Sequence, residues 1–331
     1  NTTGNSGNLT INATESVEII GDSPGSFVPQ ANQVVNSLLG GDDRTGITTS
    51  AEGRGISGKL TINTSRLTVR DNAAIVTAPF FGGGGDLKIS AKEIFLTGEA
   101  GIGTGNLFGE NAGDLEINAE KVILSNGANI GTASFAQGNA GNLELSVAQL
   151  SISNGSTINS ATIGEGNGGN LIIKDALEIE VIGTSEDGSF PSNISASSLG
   201  SGNSGNLNIT VDKLNVSDGG EITTATINQG AGGKIDINAR NLLIENGRIN
   251  ASTTTSQKGG DININASESI EVIGGGFDKL QQNIIIPAFD GNENSLTLNN
   301  FDNGIVTASE GEGDSGNIFI QTPNFKASNG G

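Results

Sequence analysis

One five-residue motif recurs ten times along the 331-residue chain: a glycine, a polar or charged residue, then two apolar residues flanking a single position. It reads Gly58-Lys59-Leu60-Thr61-Ile62, Gly113-Asp114-Leu115-Glu116-Ile117 and Gly141-Asn142-Leu143-Glu144-Leu145, and it is anchored also at Gly7, Gly85, Gly169, Gly205, Gly233, Gly260 and Gly316. Successive anchors lie 27 or 28 residues apart, except for three intervals of 51, 36 and 56. A unit of this length cannot bury its own apolar face, so it folds only by stacking on its neighbours.

Within a unit the pattern has period 2, the signature of strands. The unit from Gly113 holds Leu115/Ile117, then Val122/Leu124, then Ile130/Thr132. Ser125-Asn126-Gly127 marks a turn between the second and third segments, and Gln137-Gly138-Asn139-Ala140 a bend before the next anchor. Three strands per unit, in register from unit to unit, are what a parallel β-helix requires, with coils about 4.8 Å apart. Burying about six apolar side chains per coil, roughly 1.5–3 kcal/mol each, offsets the ordering entropy only if coils stack. The third segment places Ile47, Ile75, Ile102, Ile130, Ile158, Ile194, Ile222, Ile249 and Ile305 inward, usually with Thr, Ser or Ala two residues on as small core fillers. The expected fold is all-β: a single right-handed parallel β-helix over residues 1–331, about ten coils with three strands per coil and a period of about 28 residues. Handedness follows from the crossover rule.

The three long intervals share one design. Their second strands read Val17-Glu18-Ile19-Ile20-Gly21, Ile179-Glu180-Val181-Ile182-Gly183 and Ile270-Glu271-Val272-Ile273-Gly274, and begin 8 rather than 7 residues after the first strand. Extra residues then follow, so insertions at about 22–46, 184–193 and 275–304 leave from one corner. Val34–Leu39 reads as a short helical turn, and Ile284–Ile286 with Leu296–Leu298 as a hairpin.

The chain has no Cys, His, Met, Trp or Tyr, 16 basic and 36 acidic residues, and a net charge of −20. Disulfides, thiol nucleophiles, histidine bases and Cys/His zinc sites are excluded. A polyanion would be repelled and has no Trp or Tyr to stack on, so nucleic acid is not an expected partner. No cofactor is expected. The weak candidates are for loosely bound Ca²⁺: the acidic clusters Asp42-Asp43, Glu186-Asp187 and Glu310-Gly311-Glu312-Gly313-Asp314 offer oxygen ligands. Their plainer reading is solvated loop charge. Asn8, Asn142, Asn170, Asn206 and Asn317, with Asp86, Asp114 and Asp261, share the position after the anchor; lysines at 59 and 234 interrupt that column. A hydrogen-bonding ladder between coils explains it better than a file of cation ligands. The glycine run 82–85 lacks the tandem nine-residue repeats of a calcium-binding β-roll.

The outward positions bear on two further functions. Glu116, Glu144 and Asp236 occupy the outward middle of the first strand and could form the carboxylate file of a carbohydrate-cleaving β-helix. That position is also Thr10, Lys88, Ile172, Asn208 and Phe319, which is the composition of an ordinary solvent face. Ice binding would need regular outward Thr columns, whereas the outward third-strand position runs Thr48, Val76, Gly103, Gly131, Asn159, Ser195, Thr223, Asn250, Val306. Phe80 or Phe81, Phe108 and Phe135 fall at one bend, replaced by Ile163, Leu199 and Ile227 in later coils, and are expected to form a buried or half-buried stack.

The units Gly138-Asn139-Ala140-Gly141-Asn142-Leu143 and Ile130-Gly131-Thr132-Ala133-Ser134-Phe135 resemble the repeats of filamentous haemagglutinin-type exoproteins, above all their very large cyanobacterial members. The resemblance covers nearly the whole chain apart from the insertions. It implies export across the outer membrane by two-partner secretion through a barrel partner. It also implies an extracellular or cell-surface location and a structural role in a filament or adhesin. The corner loops would then contact a surface glycan or protein, and a carbohydrate-binding or carbohydrate-cleaving β-helix is the alternative. The rod is expected to continue beyond both ends, or identical chains to abut end to end.

Overall fold

The computed structural model describes residues 3–21, 45–274, 303–309 and 311–331. The alternating residues build a parallel β-solenoid with no helix among the described residues. The first two strand segments of each unit run on as one bent strand of 11 or 12 residues, such as Leu60–Arg70, Leu115–Ser125 and Leu171–Ile182. These long strands stack in one sheet of ten rungs. The tenth rung is broken at Pro323 into Ile318–Gln321 and Phe325–Ser328, both of which pair with Ile262–Ile273. The third segments, such as Ala74–Thr77 and Asn129–Ser134, stack in a second sheet of nine strands. Ten anchors thus overstate the complete turns among the described residues, where the tenth rung has no counterpart in the short sheet. Beyond the short strands, isolated parallel bridges from Thr162 through Ser198, Thr226 and Thr253 to Ser309 carry the stacking around the bend.

The register is the one the alternation specifies. Leu60, Ile62, Leu67 and Val69 pair with Leu87, Ile89, Ile94 and Leu96, and all eight side chains are buried. Ile75, Ile102, Ile130, Ile158, Ile194, Ile222 and Ile249 close the core from the short sheet. A one-residue slip would have turned every one of these outward. Among the described residues, inward apolar side chains show chiefly at the outermost described rungs, as at Leu9 and Ile318, which no other described rung covers.

The turn between the sheets uses left-handed residues. Asn126 and Gly127 have φ of 55° and 76°, Asn154 and Gly155 of 52° and 72°, conformations that Asn and Gly tolerate best. The 8-residue spacing in three coils also has a structural meaning. Pairing of the long strand shifts between Ala13 and Ser16 and between Ile173 and Ala176, where Asp175 has φ 61°, so the extra residue is absorbed as a β-bulge. The third such coil shifts against its neighbour between Ala239 and Asn241.

In the three coils expected to carry insertions the long strands end at Ile20, Ile182 and Ile273, and the short strands begin at Gly46, Asn193 and Gly304. The helical turn at 34–39 and the hairpin of 284–286 with 296–298 lie outside the described residues. The middle insertion folds back on itself: Thr184 bridges Pro191 antiparallel, and the Ser185 N–H donates to the Phe190 carbonyl at 2.7 Å.

Candidate functional site

Two internal devices close the bend that leads to the anchor in most coils. The threonine two residues after the short-strand isoleucine is more than a filler. Thr49, Thr77, Thr132, Thr224 and Thr307 donate their hydroxyls to the carbonyls of anchors Gly58, Gly85, Gly141, Gly233 and Gly316 at 2.5–3.0 Å, and Thr104 does so to Gly113. The second device is the ladder at the position after the anchor. The Asn142 backbone N–H donates to Asp114 Oδ1 (2.8 Å), that of Asn170 to Asn142 Oδ1 (3.0 Å), and that of Asn206 to Asn170 Oδ1 (3.0 Å). A parallel ladder runs along the bend, from Asn111 through Asn139 and Asn167 to Asn203. Lysine does not break the column at its upper side, since the Lys234 N–H still donates to Asn206 Oδ1. These oxygens accept from the next coil's backbone, which is the use a ladder makes of them.

The outward carboxylates are neutralised in place. Glu116 and Glu144 lie on adjacent rungs, each taken by a lysine: Lys88 Nζ to Glu116 at 2.7 Å, Lys174 Nζ to Glu144 at 2.6 Å. Lys88 and Asn118 both donate to Glu116 and hold its carboxyl below the usual range. A glycosidase acid needs the opposite shift, upward. Asp236 stands three rungs beyond Glu144, paired with Lys234 at 2.7 Å.

Of the Ca²⁺ candidates, Asp42, Asp43 and Glu310 lie outside the described residues. Glu186 and Asp187 sit on the exposed tip of the middle insertion. There Asp187 accepts from Ser185 Oγ at 2.5 Å and from the Ser189 N–H at 3.1 Å, and these bonds hold its carboxyl low. Glu312 and Asp314 lie on the bend that leads to the anchor Gly316. Among the described residues the fold brings no three acidic groups together in a metal-holding cluster.

Two surfaces were not foreseen. The outward face of the short sheet is polar yet buried: Asn129 donates to Thr157 Oγ1 at 2.6 Å, and Arg248 Nη2 meets Glu221 at 2.9 Å, the least exposed ion pair among the described residues. The aromatic bend is corrected in part. Phe135 is half-buried as expected, whereas Phe81 and Phe108, stacked at 5.8 Å between centroids, are 53% and 64% exposed. Leu107, the position before Phe108, is buried instead in a small cluster with Ala74, Val76, Ala78 and Ala133, apart from the main core. Leu199 and Ile227, on later coils of the same bend, are exposed as well. The signal lay in the sequence, as a run of large apolar residues at a bend position whose neighbours are Gly, Gln and Glu.

No family model matches the chain, and neither a curated protein nor a solved structure matches it.

Proposed function

We propose that the chain is a structural segment of an exported cell-surface filament or adhesin, and that its corner loops make the contacts. The observation that supports this reading is where the variation falls. From coil to coil the inward isoleucines, the threonine clamps and the Asn/Asp ladder repeat. The corner insertions differ in length and sequence, and the tip 186–189 of the middle one is exposed. A scaffold with constant rungs and variable projections suits display better than turnover. The paired lysines of Glu116 and Glu144 argue in the same direction, against the carbohydrate-cleaving alternative.

The test is to raise antibodies to the folded chain and label intact source cells. Surface labelling that gentle proteolysis removes, on fibrous material by negative-stain electron microscopy, is the expected result. Labelling only after lysis would overturn the reading. Replacing residues 184–192 by a two-residue glycine link should then reduce attachment of coated beads to the partner surface while leaving the melting temperature within a few degrees.

A further inference from the structure

We propose that two copies of this chain pair side by side and antiparallel, along an apolar ridge on the bend that follows the short sheet. The ridge is Phe81, Phe108, Phe135, Ile163, Leu199 and Ile227, one residue from each of six consecutive coils. Backbone bonds set it in two adjacent columns, Phe81–Phe108 and, one residue earlier along the bend, Leu107–Phe135–Ile163–Leu199–Ile227. The Phe108 N–H donates to the Phe80 carbonyl (2.9 Å), that of Ile163 to Ser134 (2.8 Å), that of Leu199 to Thr162 (2.9 Å), and that of Ile227 to Ser198 (3.0 Å). In a parallel ladder such a bond sets the donor residue above the one that follows the acceptor. Phe108 therefore lies over Phe81, Ile163 over Phe135, Leu199 over Ile163 and Ile227 over Leu199. Phe135, bonded to the Asn106 carbonyl at 3.2 Å, lies over Leu107 and so beside Phe108. Five steps of about 4.8 Å make the strip about 24 Å long.

Phe81, Phe108, Leu199 and Ile227 are 53%, 64%, 39% and 54% exposed, and Phe135 and Ile163 are half-buried. Together the six leave on the order of 500 Å² of apolar surface in water, at the upper end of what a monomer usually shows. Two such strips facing each other remove on the order of 1,000 Å², the floor for a specific interface. Glu110 and Glu165 flank the strip on a chain of net charge −20, so an anionic polymer or membrane is a poor occupant.

A second copy fits, and the order of residues selects its direction. A two-fold axis between Phe135 and Ile163 sets Phe81 opposite Ile227, Phe108 opposite Leu199 and Phe135 opposite Ile163. Each ring then meets a smaller branched chain. The same axis lays Glu110 against the coil of Leu199 and Glu165 against the coil of Phe135, and neither of those bends carries a charge. A parallel pair would set each glutamate against itself. The two-fold pairing is closed, so it yields dimers rather than open-ended assemblies. It stands whether or not the chain is exported.

Sedimentation equilibrium of the full chain at micromolar to hundred-micromolar concentrations tests this. The expected result is a dimer, with Phe81→Ser/Phe108→Ser and, separately, Ile227→Asp both monomeric and unchanged in far-ultraviolet circular dichroism. Because the chain has no cysteine, orientation is read directly. Phe108→Cys mixed with Leu199→Cys should oxidise to a mixed dimer at least tenfold faster than Phe108→Cys alone. A wild-type monomer throughout, or faster self-linking of Phe108→Cys, would overturn the proposal. So would association that survives the ridge variants but is abolished by Ile318→Lys on the terminal rung, the mark of end-to-end stacking.

Discussion

At the residue scale the anchor glycine is set by a neighbour. A Cβ built on Gly141 would stand 1.9 Å from the carbonyl oxygen of Gly113, and on Gly113 2.1 Å from that of Gly85. None of the ten anchors has a positive φ, so crowding along the stacking axis is the cause. The repeat shows that glycine recurs at this place but not why, because the obstacle to a side chain lies 28 residues away. Gly141→Val should therefore lower stability by at least about 3 kcal/mol in urea unfolding. Gly7→Val, where nothing lies within 4 Å, should change it by less than about 0.5 kcal/mol. The threonine clamp is a second residue-scale feature. Thr224 is fully buried and its hydroxyl reaches the Gly233 carbonyl at 2.6 Å. Thr224→Val keeps the shape and removes the donor, so it should cost about 1–2 kcal/mol, and Thr224→Ser should keep the bond. Alternation alone placed this threonine inward; its partner depends on how the bend returns, which no local pattern encodes.

At the scale of the element, what was legible is what period 2 determines. Every strand whose apolar residues alternate folded with those residues inward, and the 8-residue spacing marked the bulged coils. The aromatic bend was misread because hydrophobicity at a bend says nothing about which side of the chain faces in. The charged face of the long strand carries a pH prediction. Glu116, donated to by Lys88 and Asn118, has a folded pKa below its ordinary value of 4.5. Its contribution is therefore present above that ordinary value and is lost as pH falls through the folded pKa. Both partners are more than a third exposed, so the pair supplies only about 0.5 kcal/mol or less. Glu116→Gln should lower the urea midpoint slightly at pH 7 and not at all near pH 2. A larger loss at pH 7 would mean that the carboxylate does more than pair with Lys88.

At the scale of the whole molecule, stability should depend on position along the stack, because each coil touches only the coils above and below it. Leu143 and Ile318 occupy the same place in the repeat. Leu143 is fully buried between two rungs, whereas Ile318 is 40% exposed on the last one. Leu143→Asp places a carboxylate without a partner among apolar neighbours on both sides and should cost several kcal/mol. Ile318→Asp leaves its carboxylate in contact with water and should cost about 1 kcal/mol, with fraying confined to the last rung. Amide hydrogen exchange separates this from a uniform fold. Protection should be highest in the strands from Leu115 to Ile182 and fall rung by rung toward Leu9 and Ser328. In the Leu143→Asp chain the loss of protection should centre on the rung of Leu143 and spread to both neighbours, while in Ile318→Asp it should stop short of Ile262–Ile273. Equal melting of all rungs in both variants would show that the solenoid unfolds as one cooperative unit, and that nearest-neighbour stacking is too strong for any single coil to open by itself.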